Sequence, residues 1–189
     1  IDGYIYLTEN KCDIKEVGDV LVSEASRAQI VANDICSLNG KDYSKREIVP
    51  GEGYEMVKLG DVCEFKPKSK RNASFGEATG LYSFYTSSQK IKRCNIADYN
   101  EELLIIGDGG IANIKIDTNF SCSDHNYLLS SKYSKYLYHF FNGNMKVLED
   151  GFTGSVLKNI SKKYLKDIKI PIPTDPQLLT HWVQKISTP

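Results

Sequence analysis

Gly151-Phe-Thr-Gly-Ser-Val-Leu-Lys-Asn-Ile-Ser161, running on into Tyr164-Leu-Lys-Asp-Ile-Lys-Ile-Pro-Ile-Pro173, is the stretch that decides how this chain folds. Gly151 and Gly154 suit a turn or a close approach of two backbones. Ser161 carries the short hydroxyl that caps a helix N-terminus, so a brief helix is expected behind it. Residues 168–172 read as a strand that Pro171 and Pro173 bring to an end.

Three stretches upstream complete the frame. Leu103-Leu-Ile-Ile-Gly-Asp-Gly-Gly-Ile-Ala-Asn-Ile114 begins as an apolar strand over 101–106 and breaks at its glycines. Residues 111–116 alternate as a second strand and form its hairpin partner. Before it, Tyr82-Ser-Phe-Tyr-Thr-Ser-Ser-Gln89 lies within a hairpin over 81–92 with a serine-rich tip. After it, residues 120–129 read as one more strand, with Ser-Asp-His-Asn as its polar middle. Tyr133, Tyr136, Leu137, Phe140 and Phe141 fall at helical spacing, which predicts an amphipathic helix over 133–141 stopped near Asn142-Gly-Asn. Such an aromatic stripe belongs to a core more readily than to a ligand platform.

Taken in this order, these stretches resemble the target recognition domain of the DNA-specificity subunits of type I restriction-modification systems. Met56-Val-Lys-Leu-Gly-Asp-Val-Cys-Glu-Phe65 is similar to that family's domain start. Ile170-Pro-Ile-Pro, then Gln177 and a helical run, is similar to its exit into a connecting helix. The resemblance covers about residues 54–186. Where the family often has Glu-Gln after the prolines, this chain has Asp175-Pro-Gln and then Trp182-Val-Gln-Lys-Ile, which looks more like the domains fused behind N6-adenine methyltransferases. Asn33 to Tyr43, with its Asn-Gly turn, is similar to the tail of such a methyltransferase. The methyltransferase's own Asn-Pro-Pro-Tyr type motif is absent from the chain, and no glycine-rich cofactor loop follows a strand.

With 189 residues the chain has material for one sizeable core and an appendage. Its 41% hydrophobic and 25% charged residues are ordinary for a globular protein, and no apolar run has the length of a membrane span. The five cysteines, at 12, 36, 63, 94 and 122, never form a Cys-x-x-Cys pair, so they read as reduced small hydrophobes in a cytoplasmic protein. Cys122 near His125 has no third group to orient a nucleophile pair. The net charge of zero is uneven: residues 1–55 hold six basic and eleven acidic side chains, the remainder eighteen and thirteen. A basic body suits a nucleic-acid partner, while an acidic head does not help one.

In chain order, residues 1–8 read as a strand remnant, 13–22 as a polar connector and 23–32 as a short helix capped by Ser23 or Ser26. The charges, proline and glycines of 45–53 mark a linker. The expected domains are therefore an N-terminal arm or methyltransferase tail over 1–53, a recognition domain over 54–173, and the start of a connecting helix over 174–189. Within 56–65 a helical turn leads into a strand. The expected fold class is α+β: a twisted, mainly antiparallel sheet with short helices and long polar loops. Residues 177–186 allow barely three helical turns, too few for a coiled-coil arm.

The resemblance directs the site reading. Four of the six residues 66–71 are basic (Lys66, Lys68, Lys70, Arg71), and with Asn72 they form a loop that in this family would ride on DNA phosphates. The plain alternative is a solvated loop. Thr86, Ser87, Ser88 and Gln89 are short polar groups suited to base edges, Gln89 above all to adenine, with Lys90, Lys92 and Arg93 flanking them on phosphates. Ser123, His125 and Asn126 form a second polar stretch facing DNA, or a hydrogen-bonded structural one. The Gly107–Gly110 turn could cradle a phosphate, although Asp108 speaks against a free nucleotide there.

The implied function is recognition of one part of a bipartite DNA site. The implied partners are double-stranded DNA, an N6-adenine methyltransferase (subunit or fused domain) that binds S-adenosylmethionine, and in some systems a restriction subunit. The chain itself would carry no catalytic residue, metal or cofactor. Two readings compete with it: a metal-dependent hydrolase or nuclease built on Asp108, Asp124 and His125, and a protein-interaction domain.

Overall fold

The computed structural model describes residues 4–7, 11–15, 21–32, 50–154, 158–175, 177 and 179–180. The chain divides into two compact units, 1–48 and 49–189. The Asn33 to Tyr43 stretch and most of the helix expected over 177–186 lie outside the described residues.

The first unit is an antiparallel three-stranded sheet, β1 (Tyr4–Leu7), β2 (Lys11–Lys15) and β3 (Leu21–Ser26), followed by α1 (Arg27–Ala32). Two expectations change here. Part of the 13–22 connector is strand, and the helix begins only at Arg27. Residues 23–26 pair with β2 (Ser23 opposite Ile14, Ala25 opposite Cys12), and these cross-strand partners outweigh the local helix preference of Glu-Ala-Ser.

The second unit is α+β, as expected. It opens with β4 (Tyr54–Lys58), the single turn α2 (Leu59–Val62) and β5 (Glu64–Phe65). The hairpin β6 (Tyr82–Tyr85) and β7 (Lys92–Cys94) follows, then the hairpin β8 (Leu103–Gly107) and β9 (Ile114–Asp117). Next are β10 (Phe120–Cys122), β11 (Asn126–Ser130), α3 (Ser134–Gly143) and α4 (Lys146–Glu149). The chain closes through β12 (Phe152–Thr153), β13 (Asn159–Ile160), α5 (Lys162–Asp167) and β14 (Lys169–Pro173). No helix among the described residues is long and apolar enough to cross a membrane.

The main sheet has the order β5-β11-β8-β9, entirely antiparallel, and β8 is buried along its whole length, as its unbroken apolar run requires. One face packs Leu104 and Ile106 against Leu137 and Phe141 of α3 and Leu165 of α5. The other face packs Leu103, Ile105 and Leu128 against Tyr85, Phe120 and Cys122 of a three-stranded sheet, β10-β6-β7. The strand read over 120–129 is thus two strands in two sheets. β10 runs parallel to β6, and β11 joins the main sheet. The break holds because its polar groups find partners elsewhere: Ser123 N donates to Tyr85 O (2.8 Å) and Asp124 N to Arg71 O (2.8 Å).

The opening and closing segments behave nearly as read. Ser161 Oγ accepts from Tyr164 N (3.1 Å) and caps α5. Gly151 leaves no room for a side chain, since a Cβ there would lie 2.3 Å from the Tyr164 ring. Pro171 sits inside the final strand, opposite Met56, and Pro173 is its last residue, opposite Tyr54. β14 pairs only with β4 among the described strands, so a missing N–H on its other edge costs no ladder bond.

Candidate nucleic-acid interface

Strand ends gather the candidate residues. β6 and β10 are parallel and in register, Tyr85 beside Cys122, so the loops that leave them emerge side by side. β8 and β11 are antiparallel, Gly107 opposite Asn126, which sets the glycine turn next to the start of β11. Backbone bonds tie these loops together: Asp108 N donates to His125 O (3.1 Å), Ile160 N to Asp108 O (3.0 Å) and Gly110 N to Lys158 O (3.1 Å). The basic loop joins through the bond from Asp124 N to Arg71 O. Residues 68–72, 86–89, 107–113, 123–126 and 158–160 therefore form one connected loop cluster.

Its centre is the mostly buried carboxylate of Asp108. Lys68 Nζ donates to one oxygen, and His125 Nδ1 lies 3.2 Å from the other. The Lys68 ammonium also stands 4.5 Å from the centre of the Tyr127 ring, a cation–π distance. A desolvated carboxylate needs such partners, so Asp108 fixes the basic loop and the His125 loop against each other. A metal would have to displace both. Asp124 is exposed to solvent, and among the described residues no three His, Cys, Asp or Glu side chains could share an ion. Cys122 is fully buried, and burial pushes its thiol up to about 12, so it is not a nucleophile at neutral pH.

The base-reading candidates divide sharply. Ser88 and Gln89 are exposed, whereas Thr86 is buried, its Oγ1 accepting from Ser88 N (3.3 Å) to shape the turn. Ser87 is half-buried, and its carbonyl accepts from Asn113 Nδ2 (2.7 Å). His125 is exposed at the rim. Ser123 and Asn126 are fully buried: Asn126 Nδ2 donates to Tyr85 O and to Ser123 O and Oγ, each at 3.2 Å. As they stand, these two hold the loops and present nothing to a base.

The cations divide in the same way. Lys70 is exposed, and no partner for it is seen among the described residues. Arg71 is bidentate to Asp98 (2.5 and 2.7 Å) and stacks 3.8 Å from the Phe75 ring. Arg93 donates to the carbonyls of Gly80 and Leu81, and Lys92 to that of Ala73. Asn72 caps a 3₁₀ turn, Ala73–Phe75, by accepting from Ser74 N at 3.1 Å. Pro67, Lys68, Ser69, Lys70, Arg71, Asp98 and Tyr99 line an open cleft of about 520 Å³.

Arg71 holds the Asp98 carboxyl below its ordinary value, chiefly by their hydrogen bond. A depressed carboxyl adds stability above its unfolded pKa of 3.8 and loses it as pH falls through the folded one. Arg71→Ala is therefore expected to cost about 1 kcal/mol at neutral pH. The difference from wild type should shrink below about pH 4 in urea melts. A cost that did not change with pH would separate the effect from Asp98.

Sequence reading missed three contributors. Lys115 on β9 reaches under the hairpin tip, where Nζ donates to Ser88 O (2.9 Å), and burial pushes its pKa down to about 8. Asn113 clamps Ser87 to Ile111, and Lys158 is exposed beside Gly110. The alternation Ala112-Asn113-Ile114-Lys115 held a signal for the first two, since it sends Asn and Lys to one side of the segment that enters β9.

Comparison with known proteins agrees with this architecture. The profile of the type I restriction modification DNA specificity domain matches residues 50–186. The chain is 24% identical over 138 residues to the Type I restriction enzyme EcoDI specificity subunit of Escherichia coli, covering 71% of this chain and 31% of that protein. The crystal structure of the type I restriction-modification S subunit from M. genitalium superposes with a TM-score of 0.64 at 16% identity, over 76% of this chain and 40% of that one. This chain thus spans well under half the length of either relative. With the family profile matched over most of its length, the chain belongs to the type I restriction modification DNA specificity domain family.

Proposed function

We propose that the 49–189 unit reads a short base sequence in double-stranded DNA, one part of a bipartite site. The observation that carries this reading is the single loop cluster in which exposed Ser88, Gln89 and His125 are tied to the loop bearing Lys68 and Lys70. Polar groups on a rigid base and cations around them are what base readout and phosphate positioning need, respectively. In this reading the exposed Lys70, Lys90 and Lys158 lie along phosphates, while Lys68, paired with Asp108, fixes the basic loop. Asn72, Lys92 and Arg93 hold the backbone of the loops, as Thr86, Ser87, Ser123 and Asn126 do beneath them, and Arg71 pins its loop to Asp98.

The chemistry then belongs to partners. The module would deliver its site to an N6-adenine methyltransferase, subunit or fused domain, that binds S-adenosylmethionine, and in some systems to a restriction subunit. It would work in the cytoplasm, where that DNA is. The family to which the chain belongs supports this assignment over the metal-dependent and protein-interaction readings.

The test combines a randomised-site selection with salt titration. Gln89→Ala should relax preference at one base position, costing about 1–3 kcal/mol there, with binding to random DNA nearly unchanged. Changing Lys70, Lys90 and Lys158 to Gln should weaken all duplexes alike and lower the salt slope by about 0.9 for each phosphate no longer neutralised. An unchanged motif in the first variant together with an unchanged slope in the second would refute the reading.

A further inference from the structure

We propose that Ile111 is a sequence-reading residue that contacts the methyl group of one thymine in the major groove. The inference rests on the DNA-reading function proposed above and adds an apolar reader to a cluster otherwise made of polar ones. Ile111 is 70% exposed, whereas its next three neighbours, Ala112, Asn113 and Ile114, are all at most 6% exposed. Gly110 takes φ 84° just before it, a left-handed conformation that favours glycine. A Cβ built on Gly110 would meet nothing within 4 Å, so that side of the turn faces open space.

An exposed isoleucine alone would mean little, because scattered apolar residues are common on surfaces. What distinguishes this one is how it is held. Asn113 Nδ2 donates to Ile111 O (2.8 Å) and to Ser87 O (2.7 Å), so one amide fixes Ile111 to the residue that begins the exposed Ser88-Gln89 tip. Lys115 Nζ donates to Ser88 O and to Asn113 Oδ1, locking the same two loops from below. On its other side, Gly110 N is bonded to Lys158 O. The isoleucine is thus presented at a fixed offset from the Ser88-Gln89 tip.

Chemistry then selects the target. Polar groups on a major-groove edge are matched by Ser88, Gln89 and His125. The apolar group that the groove offers is the C5 methyl of thymine. A β-branched side chain is stiff about its first torsion, so forming that contact costs little entropy.

The experiment uses this chain assembled with its methyltransferase and the duplex preferred in a randomised-site selection. Each thymine is replaced in turn by deoxyuridine, which removes the methyl and keeps every hydrogen-bonding group. At one position this should weaken wild-type binding about fourfold, the worth of burying one carbon. In Ile111→Ala the uracil penalty should vanish at that position, with the thermal melt and salt slope unchanged. A penalty that persists in Ile111→Ala would assign the methyl to another residue, and no penalty at any thymine would also overturn the inference. Failure of the wild type to select any motif would instead overturn the DNA-reading function itself.

Discussion

Phe120→Ala is expected to lower stability by about 3–5 kcal/mol, which is much of the margin of an ordinary domain. The Phe120 ring is fully buried, 5.5 Å from the centre of the Tyr85 ring and stacked on Tyr99 at 5.2 Å. It fills the layer between the main sheet and the β10-β6-β7 sheet, against Leu103, Ile105 and Leu128. Because β10 lies beside β6 in register, the cavity opens beneath both strands whose ends carry the recognition loops. Urea denaturation should show the loss at an unchanged m-value, with DNA binding falling only as the folded fraction falls. A cost below about 1 kcal/mol would mean that the two sheets close over the gap, and that this layer is not what positions the loops.

Local pattern and long-range pairing explain which parts were legible in the sequence. The apolar run of Leu103 to Ile106, the helical spacing from Tyr133 to Phe141 and the cap at Ser161 are local signals, and the structure follows them. The break between Cys122 and Asn126 is not local. It depends on Tyr85 and Arg71 accepting bonds from residues 38 and 53 positions away, which no periodicity records. The first unit shows the same limit, since the 13–22 segment looks like a connector until β3 supplies its partner.

Residue type identified the candidate loops but not the duties within them. Ser123 and Asn126 look like readers in sequence because both are polar and flank His125. In the fold, Asn126 spans three acceptors, and both side chains are buried by the convergence of β6, β10 and β11. Arg71 and Lys70 are adjacent in a basic run, yet Asp98, distant in sequence, neutralises the first and leaves the second exposed. Asp108 looks like a metal ligand in sequence, and in the fold it is the anion that holds two loops together.

Gly107→Ala should separate sequence reading from plain DNA affinity more strongly than any change at the surface. Gly107 closes β8, and a Cβ there would lie 2.6 Å from Ser87 O, 2.9 Å from Ser87 Cα and 3.0 Å from Asn113 Nδ2. Two of those contacts are backbone, so the clash cannot be relieved by a side-chain rotation. The hairpin tip must move away from β8, and the Asn113 clamp moves with it. Overpacking of this kind costs about 1–3 kcal/mol of stability. The larger loss is in recognition. If Ser88 and Gln89 each forfeit a base contact worth about 1–3 kcal/mol, affinity for the preferred duplex falls on the order of a hundredfold or more. If Lys70, Lys90 and Lys158 are the phosphate contacts, binding to random DNA should hold nearly constant, because Lys70 and Lys158 lie outside the displaced segment and Lys90 is exposed. Competition binding with specific and random duplexes, beside a urea melt of the same variant, resolves the two effects. A variant that kept its motif and its preference would place base reading away from the 86–89 tip.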